Sequence, residues 1–205
     1  MSGSHFYRPA EGHRLPHDPF NAIVGPRPIG WVSTVSAAGV RNVAPYSFFN
    51  AFNYTPPIVG FSSTGYKHTV SNLAEIPEFT WNLVTRGQAE AMNATAATVG
   101  PDVDEFALAG LDGAPSVDVR PDRVAGAPVS FECRLTQSIR LTDQHGADVD
   151  AWLSLGEVVA VHIDEDLLVE GVYDTARAEP VLRGGGPSTY FAVTADARFD
   201  MVRPA

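Results

Sequence analysis

The sequence predicts a mainly β domain that closes into an antiparallel barrel and carries a few short helices. The 205 residues contain six or seven short segments with the strand-like alternation of apolar and polar residues, and two or three short helical segments. The two kinds of segment do not alternate regularly, which disfavours a doubly wound parallel sheet. No period of 20 to 50 residues recurs, so a repeat architecture is excluded.

The predicted elements begin with residues 1–20, which are rich in Pro, His, Gly and Arg and are expected to form an N-terminal arm. Residues 21–205 are expected to form the single folded domain. The first predicted strands lie at 29–36 and 42–52, joined by a turn at Gly39, and a third strand begins at Pro56-Pro57. A short helix capped by Thr69 or Ser71 ends at Ile76, and a strand at 78–85, a helix at 86–98 and a helix from Asp102 to Gly110 follow. The last predicted elements are strands near 128–141 and 152–163 and a short element in "LLVEGVYD".

Composition limits the classes of partner. The net charge of −10 and the pI near 4.9 argue against nucleic acid and anionic membranes, since both require a basic surface. No apolar run reaches the ~20 residues that span a bilayer, and the N-terminal sequence does not resemble a secretory signal. The only cysteine, Cys133, lies in an alternating segment and is predicted to be a small buried hydrophobe. We therefore expect a cytoplasmic protein.

Two features point to a ligand without identifying it. The segment from Asn42 to Ser62 alternates poorly and mixes aromatic residues with short hydrogen-bonding side chains. It can line a site for a flat, partly polar ligand, or it can be a strand that runs into a turn. Lys67 is the only lysine among 14 basic residues, in a loop before a predicted helix. It is either an ordinary surface residue or the cation for an anionic ligand.

Motifs for self-contained catalysis are missing from the sequence. There is no G-x-S-x-G elbow, no Walker sequence and no Cys/His cluster with zinc spacing, and the glycines at 184–186 do not follow the dinucleotide fingerprint. The acidic runs "DVDEF" and "HIDEDLL" are interpreted as solvated faces, and His162 as a structural histidine. We expect no catalytic side chain and no metal site, so that in an enzyme a cofactor would carry the chemistry.

Several blocks of the chain have the order and spacing of one known family. They are "RPIGWVSTVSAAGVRNVAPYSFFNAFNYTPPIVGFS", "YKHTVSNLAEIPEFTWNLVT", "DEFALAGL", "PVSFECRL" and "LGEVVAVHID". Together they resemble the flavin reductase-like, FMN-binding split-barrel family, of which the flavoredoxins are one branch, over residues 27 to about 195. The resemblance implies a six-stranded antiparallel Greek-key split β-barrel that forms a homodimer, with one FMN per subunit near the dimer interface.

The resemblance also implies a set of cofactor contacts. Lys67 and Thr69 would hold the phosphate, which favours a cation, hydroxyl donors and a helix N-terminus. The family usually reads Lys-Asp-Thr where this chain has Lys67-His68-Thr69, so His68 departs from the pattern. The other implied contacts, for the ring and the ribityl chain, are Arg27, Trp31, Ser33, Thr34, Ala44, Ser47, Phe48, Phe49 and Asn50.

The activity implied by the resemblance is that of an NAD(P)H-dependent flavin reductase. Hydride would pass from NADH or NADPH to flavin, and reduced flavin or electrons would go to a partner monooxygenase or another acceptor. Arg183 or Tyr190 would contact the nicotinamide or the flavin, or their segment is a flexible connection into the last strand. Two other classes stay open, a non-catalytic FMN-binding electron carrier and a cofactor-free or haem-binding relative, because one barrel hosts several activities.

Overall fold

A computed structural model describes residues 3–204 of the chain. Met1, Ser2 and Ala205 lie outside the described residues, so the outer ends of the predicted arm (1–20) and domain (21–205) do as well. The strands are β1 (Arg27–Pro28), β2 (Gly30–Val35), β3 (Arg41–Tyr46), β4 (Phe49–Tyr54), β5 (Pro57–Thr64), β6 (Glu78–Asn82), β7 (Gly113–Ala114), β8 (Arg123–Val124), β9 (Val129–Thr142), β10 (Asp148–Ile163), β11 (Leu168–Val169), β12 (Val172–Tyr173), β13 (Val181–Gly185) and β14 (Thr189–Ala192).

The main sheet has seven strands in the order β3-β2-β6-β9-β10-β5-β4, and every neighbouring pair is antiparallel. Its two edge strands, β3 and β4, follow each other in the chain and are separated only by Ser47 and Phe48. The sheet closes there by side-chain packing, with the rings of Tyr46 and Phe61 4.6 Å apart. This arrangement confirms the predicted mainly β split barrel.

The number of strands differs from the six that the resemblance implied. The predicted strand at 42–52 divides at Ser47-Phe48, so that β3 lies on one edge of the sheet and β4 on the other. A single strand cannot lie on both edges of a closing sheet, which is why the chain breaks at this point. The "LLVEGVYD" segment forms the small β11–β12 hairpin.

Alternation along β2 separates two hydrophobic cores. Val32 faces the barrel interior together with Phe61, Phe79 and the confirmed buried Cys133. Trp31 faces the opposite way. It lies in an outer cluster, which also contains Val43, Met92 and Phe106 and is covered by two short helices.

The helices are α1 (Phe20–Ile23), α2 (His68–Glu75), α3 (Ala89–Ala94) and α4 (Glu105–Leu108). Lys67 is the N-cap residue of α2 and makes no side-chain capping bond, so the predicted cap at Thr69 or Ser71 is wrong. The predicted start at Asp102 is also wrong. A turn bonds the Val103 N–H to the Gly100 carbonyl and delays the helix, and Asp104 then caps α4 by accepting from the Ala107 N–H at 3.1 Å.

The first described residues differ from those that follow in burial and in secondary structure. Residues 3–19 bury no side chain and contain one 3-10 turn, Pro9–Glu11. The assignment of an arm followed by a domain stays a proposal. None of the helices in residues 3–204 combines the length and the apolar character needed to cross a membrane.

Candidate functional site

A cleft of about 370 Å³ lies between β3, the start of α2 and the segment after α3. We refer to it as the α2 cleft. Its lining includes Asn42, Ala44, Tyr46, Lys67, His68 and Thr69. Three of the predicted contacts, Ala44, Lys67 and Thr69, therefore share one cleft, although 23 positions of sequence separate Ala44 from Lys67. They come together because β3 pairs with β2 and α2 contacts both of these strands.

The rim of the α2 cleft carries positive charge. Lys67 is exposed and takes an extended conformation immediately before the first helical residue. Among residues 3–204, no carboxylate and no hydrogen-bond acceptor pairs with its ammonium group. The first backbone N–H groups of a helix have no partner within the helix, and α2 lacks a side-chain cap. The rim thus offers an ammonium group and backbone donors to an anion.

The floor of the α2 cleft is a buried polar network. With its amide oxygen turned toward Thr69, Asn42 accepts from the Thr69 hydroxyl at 3.0 Å and donates to both carboxylate oxygens of Glu105, at 3.3 and 3.2 Å. Thr69 is buried, so its hydroxyl belongs to the floor rather than to the rim. The network fixes the start of α2 against β3.

Glu105 is the titratable centre of this floor. Its side chain lines the cleft while the residue is only 5% exposed, and one carboxylate oxygen accepts from the Val43 N–H at 2.8 Å. The other oxygen lies 4.0 Å from Nδ1 of His68. Burial raises the pKa of Glu105 to about 7; the neighbouring charge of Asp104 adds to this, and the bond from Val43 opposes it. The carboxyl group therefore changes charge near neutral pH.

Interpreting "DVDEF" as a solvated face was wrong for Glu105. The side chain of Phe106 enters the outer core cluster, and this anchors α4 so that the preceding residue faces β3. Asp104 is half-buried and bonds to Arg41 at 2.7 Å. Asn42 and Glu105 were missed as site residues. The sequence signal that could have indicated Glu105 is its position directly before the core residue Phe106, at the start of a short helix.

Tyr46 forms an apolar wall of the α2 cleft with a polar tip. Burial raises the pKa of Tyr46 to about 12, against the opposing effect of hydrogen bonds with Thr69 and Ser63. The phenol thus stays neutral at physiological pH, and its ring packs on Phe61. Its role in the fold is to close the barrel beside the cleft.

A second cleft, of about 410 Å³, contains four other predicted contacts, Arg27, Phe48, Phe49 and Asn50. We refer to it as the Phe48 cleft. Phe48 is 40% exposed, whereas Phe49 is 9% exposed and stacks on Trp81 in the barrel core. Asn50 accepts a hydrogen bond from the neighbouring Ala51 N–H at 2.8 Å. Ser47 connects the strands that line the two clefts.

Arg27 anchors the N-terminal helix to the barrel. Its guanidinium donates to the carbonyl of Ser47 at 2.9 Å and to the carbonyls of Asn21 and Val24. It also lies 5.4 Å from the centre of the Phe48 ring. These contacts hold α1 beside the break between β3 and β4. Its donors are therefore largely committed to the fold.

The remaining predicted contacts, Trp31, Ser33 and Thr34, lie on β2 and are buried. Backbone pairing with β3 and β6 uses both edges of this strand. The Trp31 indole donates to the Thr95 hydroxyl at 3.0 Å, and Thr95 lines the α2 cleft. Trp31 thus supports the α2 cleft from behind through Thr95, and none of the three residues lines the cleft.

The segment after residue 180 forms the β13–β14 hairpin. The Arg183 guanidinium donates to the carbonyls of Gly185, Gly186 and Thr189 at 2.6 to 2.9 Å and lies 4.9 Å over the Tyr190 ring. Gly185 and Gly186 both have positive φ, as the turn requires. Arg183 is therefore used within its own hairpin.

The seven-stranded antiparallel sheet, with a cleft on each side of the break between β3 and β4, defines the class as mainly β split-barrel proteins. Within that class the chain belongs to the flavin reductase-like family, because the pattern of the flavin reductase like domain matches residues 25–181. The sequence is 36% identical over 170 residues to an uncharacterized protein of Aquifex aeolicus, covering 80% of this chain and 83% of that protein.

Two solved structures are similar over most of their length. Nitrilotriacetate monooxygenase component B from Bacillus cereus superimposes with a TM-score of 0.86 at 28% identity, covering 98% of this chain and 100% of that one. The 2-nitrobenzoate 2-nitroreductase NbaA from Pseudomonas fluorescens gives a TM-score of 0.79 at 29% identity, covering 90% and 88%. The family resemblance inferred from the sequence is confirmed.

Proposed function

We propose that the chain binds FMN and transfers hydride from NADH or NADPH to flavin, supplying reduced flavin or electrons to a partner. One observation carries the proposal. In a member of the flavin reductase-like family, the Lys67 ammonium and the uncapped start of α2 meet at the mouth of the α2 cleft. That cleft has a volume of about 370 Å³, within the range of roughly 300–1,000 Å³ that is typical of ligand pockets.

The rim of the α2 cleft fits a phosphate group. Lys67 supplies a charge, and the first N–H groups of α2 supply backbone donors. The Thr69 hydroxyl is engaged with Asn42, so we propose that Thr69 contributes its backbone N–H instead. Phosphate would thus be held at the rim, above the polar floor and clear of the buried carboxyl group.

The ring of the cofactor requires apolar surface with few charges. Ala44 and the wall formed by Tyr46 offer such surface in the α2 cleft, and the exposed ring of Phe48 offers it on the far side of Ser47. When bound, FMN would supply the hydride chemistry, which the side chains of this chain do not carry by themselves. The contribution of the chain is to bind and to orient.

Two assemblies follow from the proposal. The likeness to a monooxygenase component supports a partner monooxygenase as the acceptor of reduced flavin. We also propose a homodimer, supported by the exposed apolar side chains of Val159, Val161 and Ile163, which share one face of β10. The cytoplasmic location expected from the sequence stays a prediction.

The experiment is an absorption spectrum of the purified full chain after mixing with FMN and gel filtration, followed by addition of NADH or NADPH in air. We expect retained flavin absorbance and continuous oxidation of one nucleotide. Retained flavin without oxidation of NADH or NADPH would contradict the reductase function and favour that of an FMN-binding electron carrier. A colourless protein, or one with a haem Soret band, would contradict FMN binding. Light scattering on the same column tests the dimer.

A further inference from the structure

The residue that departs from the family pattern faces the buried carboxyl group of the site. His68 is the first residue of α2, half-buried at the rim of the α2 cleft, and its Nδ1 lies 4.0 Å from Oε1 of Glu105. The carboxylate is otherwise bonded to the Val43 N–H and the Asn42 amide. Among residues 3–204, His68 is thus the only basic side chain within 4.0 Å of the Glu105 carboxylate.

The other charged groups around this pair are few. On β3, Arg41 is paired with Asp104 at 2.7 Å and with Asp122 at 3.5 Å, so its charge is compensated. At the N-cap of α4, Asp104 adds a negative charge next to Glu105. Tyr46 on β3 is neutral at physiological pH, and the lining segment 95–99 has no titratable residue. Lys67 precedes His68, and Glu75 at the end of α2 lines a neighbouring cleft with His68 and accepts from the Ala37 N–H at 3.2 Å.

We propose that His68 and Glu105 form a proton-accepting pair beneath the phosphate position, so that a phosphate monoester dianion binds at Lys67 together with one proton. The inference rests on the proposed function, because it places the phosphate of FMN at Lys67. The proton comes from solvent and is held between the imidazole and the carboxyl group. No covalent bond is formed or broken elsewhere.

The physical reason is charge balance. A dianion beside the rim favours the pair in its protonated form, since either a charged imidazole or a neutral carboxyl group removes one negative charge from the site. Burial raises the pKa of the Glu105 carboxyl group to about 7, so this group can accept a proton near neutral pH. With aspartate at position 68, as in the family pattern, two carboxyl groups would face each other instead.

The experiment measures proton uptake. FMN and riboflavin, which lacks the phosphate, are titrated calorimetrically into the full chain at pH 7.5 in two buffers of different ionisation enthalpy. At this pH the phosphate is largely a dianion, since its second pKa is about 6. We expect net proton uptake of up to about one proton per FMN, none for riboflavin, and an FMN affinity that falls severalfold between pH 6.5 and 8.5. Variants His68→Asn and Glu105→Gln should each take up fewer protons than wild type, while His68→Asn leaves the melting temperature unchanged.

The outcomes separate the two proposals. If wild type prefers FMN over riboflavin but the His68→Asn variant takes up the same number of protons, the pair is overturned and the phosphate site stands. If wild type binds FMN and riboflavin equally, the phosphate site itself is contradicted. If Glu105→Gln lowers the melting temperature, its proton uptake is not informative. The comparison of wild type with His68→Asn then tests the proposed pair by itself, because His68 lies at the rim and its replacement does not disturb the buried floor.

Discussion

Phe49 stacks on Trp81 inside the barrel, with the two rings 5.5 Å apart and 4° from parallel, whereas the preceding residue points outward. The side chains alternate across β4, and the break at Ser47-Phe48 decides which ring is buried. One of two adjacent phenylalanines therefore belongs to the core and the other is available to a ligand.

This alternation predicts unequal effects on stability. Phe49→Ala should lower the free energy of unfolding by about 3–5 kcal/mol, because it leaves a cavity against Trp81. Phe48→Ala, the matched control, should change it by less than about 1 kcal/mol. Urea unfolding monitored by tryptophan fluorescence measures both. Equal losses would contradict the assignment of the two rings.

The cap of α4 makes a second matched pair. Asp104→Ala removes the acceptor for the Ala107 N–H and the partner of Arg41, so we expect a loss of about 1–2 kcal/mol. Asp102→Ala alters an exposed residue in the preceding turn and should change the unfolding free energy by less than about 0.5 kcal/mol. A larger effect at Asp102 in the same urea titration would restore the helix start expected from the sequence.

The hydrogen bonds of the Glu132 carboxylate lead to a prediction of how the stability of the fold responds to acid. Its carboxylate accepts from the Val117, Asp118 and Val119 N–H groups at 2.6 to 3.2 Å and lies 2.6 Å from the His162 ring nitrogen. Burial raises the pKa of Glu132, but these bonds outweigh it and the pKa ends below its usual value. The stabilisation is therefore complete above the unfolded pKa, near 4.3, and is lost as the pH falls through the folded one.

Glu132→Gln should accordingly lower the free energy of unfolding by about 2–4 kcal/mol at pH 7. The difference from wild type should shrink below pH 4. The control is Glu165→Gln, an exposed glutamate, which should behave as wild type. A constant difference between the Glu132 variant and wild type across pH 3 to 7, in chemical denaturation, would contradict a titrating carboxylate.

For Glu105 we predict the opposite dependence of stability on pH. Because the pKa of Glu105 is raised to about 7 in the folded chain, the folded state holds a proton that the unfolded state has lost. Its contribution to stability must therefore decline as the pH rises from about 4.5 to 7, by on the order of 3 kcal/mol at about 1.4 kcal/mol per pKa unit. Glu105→Gln should abolish this decline. Parallel stability curves for wild type and variant would show that the carboxyl group titrates normally.

The fold was largely predictable because strand alternation is a local property. The strands at Pro57–Thr64 and Glu78–Asn82 and the long β9–β10 hairpin lie where their apolar patterns predicted them. The break at Ser47-Phe48 was not predictable, because it depends on how the two sheet edges meet. The alternation of apolar and polar residues does not show at which residue a strand must break so that the barrel can close.

The site was predictable in part. The family resemblance selected Lys67, because its sequence context alone was equally compatible with an ordinary surface residue, and its contact with phosphate stays a prediction. The burial of Trp31, Ser33 and Thr34 could not be inferred, because it depends on β2 being a central strand with neighbours on both sides. The position of Glu105 required knowing that Phe106 enters the outer core and turns α4 toward β3.

The most direct test of the proposed FMN site compares FMN with riboflavin. Their dissociation constants are measured by quenching of flavin fluorescence for wild type, Lys67→Ala and Lys67→Arg. A charge-assisted hydrogen bond contributes about 1.5–3 kcal/mol, so Lys67→Ala should weaken FMN binding by roughly 10- to 100-fold, leave riboflavin binding and the melting temperature unchanged, and be largely rescued in Lys67→Arg. Equal FMN affinity in wild type and Lys67→Ala would contradict the account.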